Sequence, residues 1–345
     1  MQAIMQDRYG SAGVLESGDI EKPDIGDDQV LVRVQAAGVN PADWAIMSGL
    51  PYVARPVYGL RRPKAGVRGT DVSGTVEAVG ALVTRFKPGD EVFGSADGSF
   101  AEYAAASEHT LARKPGNLTF EQAAAVPMAG QVALQALRGV EAGHKVLING
   151  ASGGIGTFAV QIAKSPGVEV TAVASTRNLD MLRSIGADDV IDYTHDDFTQ
   201  GAQRYDLILD NLSNHSLSDL RRALTPTGIL VPNGGRFDKR WFASGGRVIA
   251  GMVMFRFVSQ TLRTFIQSTK HADLLELKEL IEAGLVTPVI DRTYALSETA
   301  QAIGHVGEGH ARGKTVISVS ASPMVLRPGP AAQAIPAPAP IAVAS

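Results

Sequence analysis

Cysteine is absent from all 345 residues of the chain. Without a thiolate, the chain can form no disulfide, no iron–sulfur cluster and no zinc site that depends on sulfur ligands. A catalytic cysteine nucleophile is excluded for the same reason. The seven histidines show no His-Glu-x-x-His pattern or similar ligand spacing. The sequence therefore argues against zinc catalysis.

A strong excess of charge and a long hydrophobic run are lacking as well. The formal net charge is −3, so we expect no broad basic face that would bind nucleic acid. The most apolar late segment, 248–257, contains Arg256 and is shorter than the roughly 20 residues that span a bilayer. The first residues lack the basic and apolar regions of a secretion signal. We therefore expect a soluble, cytoplasmic protein without an integral membrane segment.

The chain is long enough, and at 45% hydrophobic residues apolar enough, for two domains. Its first third consists of short strand patterns separated by Gly and Pro, which predicts a β-rich lobe. Residues 119–122 form a capping box that opens an alanine-rich helix. From Lys145 onwards strand and helix patterns alternate, which predicts an α/β class with a doubly wound parallel sheet. The Pro/Ala-rich segment 321–345 is predicted to be a disordered tail.

The most informative segment is a glycine-rich turn at 150–156, between a predicted strand and a predicted helix. This is the setting of a dinucleotide-binding fingerprint, in which glycines let the backbone approach a pyrophosphate. The free N–H groups and the positive dipole end of the helix N-terminus favour phosphate binding. The predicted cofactor-binding residues of this turn are Ala151, Ser152, Gly153, Gly154, Ile155 and Gly156.

The end of the second strand of this unit indicates which dinucleotide binds. NAD-specific fingerprints place an acidic residue about 20 positions after the turn, where it bonds the ribose 2′-hydroxyl. This chain has Ser175, Thr176 and Arg177 there instead. A carboxylate would repel a 2′-phosphate, whereas hydroxyls and a guanidinium can bond it. The sequence favours NADPH over NADH; the alternative is a solvated turn that carries one surface arginine.

The same turn also matches the G-x-S-x-G nucleophile elbow of α/β-hydrolases, with Ser152 as the nucleophile. The possible triad partners are Asp210, Asp238, His271, His305 and His310. A hydrolase gives no role to Gly156 or to 175–177, and it leaves the β-rich lobe unexplained. It stays the less favoured alternative.

Several segments occur in the order and spacing of a known family. They are 37–44 (AGVNPADW), 69–76 (GTDVSGTV), 87–92 (KPGDEV), 100–103 (FAEY), 151–156, 185–188 (IGAD) and 312–314 (RGK). By these segments, residues 1 to about 319 resemble the medium-chain dehydrogenase/reductases, and specifically their zinc-free quinone oxidoreductase-like branch. The resemblance implies a GroES-like catalytic lobe over 1–120, completed by 288–320, and a Rossmann domain over 121–287. It also suggests a homodimer.

The resemblance also assigns individual positions. Ser175 falls where NAD-dependent relatives keep an Asp, and Tyr193 would lie near the 2′-phosphate of NADPH. Asn40 and Thr70 stand where zinc-dependent relatives have a Cys and a His ligand, so no metal is expected. Val132 replaces a Thr that in many relatives bonds the nicotinamide amide, and that contact is therefore not expected.

Without a metal to polarise a ketone, hydride transfer to a quinone, or to the activated C=C bond of an enone or enal, is the easier reaction. The protein must then stabilise the developing enolate oxygen by hydrogen bonds. Asn40 could orient substrate or cofactor, Asp43 could belong to a local polar network, and Tyr52 could donate to the enolate or protonate it. The structural alternatives are turn formation or capping by Asn40 and Asp43, and simple packing by Tyr52.

A non-enzymatic hypothesis is an NADPH-binding sensor or interaction protein that has lost catalytic activity. The missing nicotinamide Thr and the lack of a clear proton donor motivate it. Such a protein would bind NADPH and oxidise it with no acceptor. A short-chain dehydrogenase is excluded because the chain has no Tyr-x-x-x-Lys pair.

Overall fold

The computed structural model describes residues 1–164, 167–234, 245–264, 268–309 and 311–319. The predicted tail over 321–345 lies outside these residues. In chain order the strands are β1 (Gln2–Gln6), β2 (Leu15–Asp19), β3 (Gln29–Val39), β4 (Asp71–Val79), β5 (Glu91–Ser95), β6 (Tyr103–Ser107), β7 (Leu111–Arg113), β8 (Lys145–Asn149), β9 (Glu169–Ala174), β10 (Asp189–Asp192), β11 (Tyr205–Asp210), β12 (Leu224–Pro232), β13 (Thr261–Leu262), β14 (Ile290–Ala295) and β15 (Lys314–Ser318).

Ten α-helices accompany these strands within the described residues. They are α1 (Pro41–Ser48), α2 (Arg55–Tyr58), α3 (Phe120–Ala124), α4 (Pro127–Ala136), α5 (Gly154–Lys164), α6 (Leu179–Ser184), α7 (Leu217–Ala223), α8 (Gly245–Phe255), α9 (His271–Glu282) and α10 (Thr299–Gly307). The helix boundary between α3 and α4 falls at Pro127, which lacks an N–H donor and is the first residue of α4.

The first lobe is built on a seven-stranded sheet with the order β14-β15-β3-β4-β5-β7, in which β6 also pairs with β3. Strand β3 is the longest and pairs antiparallel with β4, β6 and β15. Its apolar, β-branched residues Val30, Val32 and Val34 are buried in the core of this sheet. The last strand of the described chain, β15, therefore lies in the same sheet as strands from its first third.

The second lobe contains a six-stranded parallel sheet with the order β10-β9-β8-β11-β12-β13. Its central strands are short, buried runs such as Val146, Leu147 and Ile148, as expected for a parallel sheet with both faces covered. Helices α4, α5 and α9 pack on one face, while α7 and α8 belong to the other. The predicted α/β class, with a β-rich lobe and a doubly wound parallel sheet, is confirmed.

The strand order of this sheet reverses between β8 and β11. The chain builds β9 and β10 on one side of β8 and then continues with β11, β12 and β13 on the other. In open parallel sheets, ligands bind outside the carboxyl ends of the strands at such a switch point. The fold therefore directs attention to the residues that follow β8 and β11.

We expect the capping box at the start of α3 to contribute measurably to stability. The Thr119 hydroxyl accepts a hydrogen bond from the Gln122 N–H at 3.2 Å, and the Thr119 N–H donates to the Gln122 side chain at 3.0 Å. Thr119→Ala should lower the free energy of unfolding by about 1 kcal/mol in urea titrations. Thr119→Ser, which keeps the hydroxyl, should lose less than half of that. Equal losses in the two variants would contradict a role for the cap.

Candidate active site at the junction of the two lobes

The glycine-rich turn follows β8 and leads directly into α5. Gly150 has a φ of +75°, a conformation that favours glycine. A Cβ atom at Gly156 would lie 2.4 Å from the carbonyl oxygen of Gly150, so this position needs glycine for close packing of the turn. At Gly153, by contrast, the nearest atom to a Cβ would be the Gly150 oxygen at 3.6 Å. The turn is therefore crowded on its inner side and open at Gly153, the position predicted to approach a pyrophosphate.

Buried polar groups lie beside this turn, at the carboxyl ends of β8 and β11. The Asn149 amide donates to Asp210 and to Asn214, both at 2.8 Å. Two buried atoms there, Asn149 Oδ1 and Asn211 Nδ2, have no hydrogen-bond partner among the residues that the structure describes. Unsatisfied buried polar atoms are uncommon, and at a switch point they suit a polar ligand such as a ribose. The residues present therefore fit a bound dinucleotide.

The predicted phosphate-binding residues come together at the ends of β9 and β10. Ser175, Thr176 and Arg177 follow β9, and Tyr193 follows β10, with its N–H bonded to the carbonyl of Ala174 at 3.1 Å. The Tyr193 side chain is exposed, so its ring is accessible to a ligand at this edge of the sheet.

An acidic side chain that the sequence analysis did not consider lies at the same edge. Asp192 accepts a hydrogen bond from the Thr176 hydroxyl at 2.5 Å, and its other oxygen accepts from the Thr194 N–H and hydroxyl. These hydrogen bonds lower the pKa of Asp192 below its ordinary value. Both carboxylate oxygens accept hydrogen bonds from Thr176 and Thr194, so Asp192 organises the turn at this edge of the sheet.

In the first lobe, Asn40 and Asp43 lie at the start of α1, where β3 ends. The Asn40 N–H donates to the Asp43 carboxylate at 2.8 Å, so Asp43 caps the helix N-terminus. Both side chains are buried, with 2% and 1% of their surface exposed. The structural alternative considered for Asp43, helix capping, is therefore present. Any influence of these two residues on a ligand must pass through their immediate neighbours.

Asn40 belongs to a buried network that the sequence analysis did not anticipate. Its Nδ2 donates to Asp71 at 3.0 Å, and its Oδ1 accepts from Lys314 Nζ at 2.5 Å. Lys314 Nζ also lies 3.6 Å from the Asp71 carboxylate, which in turn accepts from the Met128 N–H at 3.3 Å. Asp71 and Lys314 fall within two of the segments that carry the family resemblance, and this was the only available sign of their importance.

The ionisation of this region is strongly affected by burial. Burial raises the pKa of Asp43 to about 6, against the opposing effects of the Asn40 N–H and of the positive charges of Arg68 and Lys314. Burial likewise raises the pKa of Asp71 and lowers that of Lys314, and the attraction between these two groups opposes both shifts. Perturbed groups that cluster in this way are typical of functional sites.

Tyr52 lies in the short segment between α1 and α2. The Arg55 guanidinium lies 4.5 Å from the centre of the Tyr52 ring and 4.6 Å from that of Tyr9. This double cation–π contact holds Tyr52 on the surface segment that follows α1. Tyr52 is partly exposed, unlike Asn40 and Asp43.

The residues proposed for a hydrolase triad are engaged elsewhere. His271 Nδ1 lies 2.6 Å from the carbonyl oxygen of Leu111, and His305 Nε2 lies 2.7 Å from Asp291. Asp210 is fully buried and accepts from the Asn149 amide. Asp238 and His310 lie outside the described residues. Within the described part of the chain, the structure therefore gives no support to a triad around Ser152.

Among the described residues, no group of three or more His, Cys, Asp or Glu side chains could hold a metal ion. No helix there is long and apolar enough to cross a membrane.

Two family models match the chain. The model described as alcohol dehydrogenase GroES-like domain matches residues 26–116, and that described as zinc-binding dehydrogenase matches 185–317. The bovine (Bos taurus) mitochondrial NAD(P)H oxidoreductase RTN4IP1 is 34% identical, with 92% of this chain and 89% of that protein covered. The chloroplastic NADPH-dependent alkenal/one oxidoreductase of Arabidopsis thaliana is 34% identical over 92% of this chain and 79% of its own length.

A solved structure, the quinone oxidoreductase from Coxiella burnetii, superimposes with a TM-score of 0.80. It is 32% identical, and the match covers 92% of this chain and 99% of that one. The similarity thus extends through both lobes and the junction between them.

The openness at Gly153 and the crowding at Gly156 predict different effects of the same substitution. Gly153→Ala should leave the urea unfolding midpoint close to that of the wild type and weaken NADPH binding about tenfold, a loss near 1.4 kcal/mol. Gly156→Ala should instead lower the free energy of unfolding by about 1–3 kcal/mol, because the turn must shift. Dissociation constants from NADPH fluorescence and unfolding curves check both. Unchanged NADPH affinity in a folded Gly153→Ala protein would contradict the predicted pyrophosphate site.

The raised pKa of Asp43 predicts a specific dependence of stability on pH. Because the pKa is about 6 in the folded protein and 3.8 ordinarily, the folded state holds a proton that the unfolded chain has lost between these values. The associated stability is complete below about pH 4 and is lost as the pH rises through 6.

The comparison with Asp43→Asn isolates this effect from other carboxylates. We expect the free energy of unfolding of the wild type, relative to Asp43→Asn, to fall by about 2 kcal/mol between pH 4 and pH 7. Urea titrations of both proteins at several pH values measure the difference. A difference that stays constant with pH would show that Asp43 titrates normally.

Proposed function

The chain belongs to the medium-chain dehydrogenase/reductase superfamily, and we propose that it is a zinc-independent, NADPH-dependent reductase of quinones or of the activated C=C bond of enones and enals. The observation that supports this proposal is the arrangement at the junction of the two lobes. A glycine-rich turn at the switch point of a parallel sheet stands against the buried Asn40–Asp71–Lys314 network of the catalytic lobe.

The turn and its neighbours have the groups needed to hold NADPH. The N–H groups at the start of α5, which follows the turn directly, suit the pyrophosphate. Ser175 supplies a hydroxyl and Arg177 a guanidinium for the 2′-phosphate, with Tyr193 beside them, while the Thr176 hydroxyl donates to Asp192. The Asp192 carboxylate lies at the same edge, where it accepts hydrogen bonds from the Thr176 and Thr194 hydroxyls. This arrangement favours NADPH over NADH.

When bound, NADPH supplies a hydride to the β-carbon of the acceptor. Negative charge then develops on the acceptor's carbonyl oxygen, which a hydrogen-bond donor must stabilise. Tyr52 is the proposed donor, since it is partly exposed on the segment after α1. Asn40 and Asp43 are buried, so we assign them the role of holding the floor of the site in place.

Zinc is not part of the proposed reaction. The positions that correspond to two zinc ligands in the zinc-dependent relatives are Asn40 and Thr70, and the amide of Asn40 is bonded to Asp71 and Lys314. An amide nitrogen that donates to a carboxylate has no lone pair for a metal. The name of the matched zinc-binding dehydrogenase model therefore describes the family and not this site.

We also propose a homodimer that forms at the free edge of the parallel sheet. Of the two edge strands of the described sheet, β10 and β13, it is β13 that lies near the exposed apolar residues Met252, Val253 and Phe257. A cytoplasmic location stays a prediction from the sequence, since two relatives are named as mitochondrial and chloroplastic proteins.

The assay that tests the function follows the loss of nicotinamide absorbance with a panel of quinones, enones and enals. We expect turnover with NADPH in preference to NADH, and we expect it to persist after dialysis against a chelator. Tight NADPH binding without turnover of any acceptor would instead favour the sensor hypothesis. Turnover that required added zinc would contradict the mechanism.

Arg177 is expected to distinguish the two nucleotides. A charge-assisted hydrogen bond to a phosphate contributes about 1.5–3 kcal/mol, so Arg177→Ala should raise the KM for NADPH about 10- to 100-fold. The KM for NADH, which lacks the 2′-phosphate, should change little. Arg183→Ala is a matched control, because Arg183 pairs with Asp180 on the helix that follows. Equal effects of Arg177→Ala on both nucleotides would place the 2′-phosphate elsewhere.

A further inference from the structure

Lys314 lies at the point where the backbone of the catalytic lobe meets the glycine-rich turn. The preceding residue, Gly313, forms an isolated parallel bridge with Gly153 and donates its N–H to the Ser152 carbonyl at 2.8 Å. Gly313 has a φ of +93°, and a Cβ there would lie 2.3 Å from the Val289 oxygen. The left-handed backbone and the nearby Val289 oxygen require glycine at this position. The bridge and the hydrogen bond to Ser152 place the start of β15 in direct contact with the turn.

The side chain of Lys314 then crosses from the turn into the catalytic lobe. Its stem packs on Gly154, where an added Cβ would lie 2.9 Å from Lys314 Cδ. Its ammonium group donates to the carbonyl of Val39 at 3.1 Å and to the Asn40 side chain at 2.5 Å. One buried side chain thus contacts both the turn and the end of β3.

This contact determines the orientation of the Asn40 amide. An ammonium group has only donors, so it must face the oxygen of the amide, and Nδ2 is then directed to the Asp71 carboxylate. With the amide reversed, Nδ2 would face the cation and Oδ1 would face the anion. The charges of Lys314 and Asp71 therefore permit one of the two amide orientations and exclude the other.

The buried Asn40–Asp71–Lys314 network is expected to contribute little net stability. Asp71 is fully buried and Lys314 is 3% exposed. Desolvation of two charges offsets most of their attraction, and apolar pairs of similar volume often stabilise a fold equally well. This ion pair also fixes the orientation of the Asn40 amide and contacts the glycine-rich turn. Its effect on the geometry of the site explains its presence better than a contribution to stability does.

We propose that Lys314 is a positioning residue, which joins the glycine-rich turn to the Asn40–Asp71 floor of the catalytic lobe and so fixes the nicotinamide relative to the acceptor. This inference rests on the proposed function, because the floor and the turn must hold two reacting partners. It assigns Lys314 no contact with the reacting atoms.

The test uses three variants that separate charge balance from position. Lys314→Met leaves Asp71 as an unpaired buried charge, and Asp71→Asn leaves Lys314 unpaired. Both single variants should therefore unfold at lower urea concentration than the wild type. The double variant Lys314→Met/Asp71→Asn removes both charges and should recover most of the lost midpoint. It still lacks the ammonium group that orients Asn40.

A structural and a positioning role then predict different activities for the double variant. If Lys314 positions the site, the kcat should remain about 10- to 100-fold below that of the wild type although folding is restored, since a displacement near 1 Å costs about that much. The KM for NADPH should change much less. Full recovery of kcat together with stability would overturn the proposal.

A measurement without turnover provides the second readout. Acrylamide quenching of the emission of bound NADPH reports how well the nicotinamide is enclosed. In the folded double variant we expect quenching to rise toward that of free NADPH, and quenching equal to the wild type would overturn the proposal. The quenching measurement does not require turnover. If the wild-type protein reduced none of the acceptors, the proposed function would be refuted, but the quenching measurement would still test the positioning role of Lys314.

Lys114→Met serves as the matched control. Lys114 is also a largely buried lysine of the catalytic lobe, paired with Glu91 and bonded to the Leu118 carbonyl. It does not contact the glycine-rich turn through any of these bonds. We expect this variant to keep the wild-type kcat and the wild-type quenching. A kcat loss equal to that of the double variant would mean that any buried lysine of this lobe has the same effect, which would contradict the proposal.

Discussion

The ion pair between Lys314 and Asp71 is the interaction on which the arrangement of the site depends. These two opposite charges have almost no exposed surface and lie 3.6 Å apart, and the Asn40 amide connects them by donating to Asp71 and accepting from Lys314. Lys314 directly follows Gly313, which bridges to Gly153 of the glycine-rich turn. The position of the Lys314 ammonium group therefore also affects how the turn lies against the catalytic lobe. The low dielectric of the interior makes it costly to bury these two charges. It also makes any arrangement that leaves one of them unpaired unfavourable, so the observed geometry is specific.

The parts of the molecule that follow from local physical chemistry could be predicted from the sequence. The β-rich lobe, the parallel sheet and the turn between β8 and α5 follow from hydrophobic periodicity and from glycine positions, and all were confirmed. The break before Pro127 and the cap at Thr119 follow from the missing donor and from a hydroxyl at the N-cap. The proximity of 175–177 to Tyr193 depends on the pairing of β9 with β10, which local patterns do not reveal. It was predicted from the family resemblance instead.

The residues that the sequence did not reveal act over long separations. Asp71 and Lys314 are 243 positions apart, as their numbers give, and neither forms a motif by itself. Asn40 was a candidate for orienting a substrate or cofactor, and Asp43 for a local polar network. Burial depends on the packing of the whole lobe, and both side chains are enclosed. Asp192 was overlooked because its two threonine partners can be recognised only once the turn after β10 is folded.

The most direct measurement of the central claim traces the transferred hydride. NADPH carrying deuterium at the transferable position of the nicotinamide would be oxidised with an enone, and the product would be analysed by NMR. Hydride transfer to the activated C=C bond would place one deuterium on the former β-carbon and leave the carbonyl group intact. Deuterium on a carbinol carbon would mean carbonyl reduction, and a reduced product without deuterium would mean that the hydride does not come from the nucleotide. Either result would contradict the account.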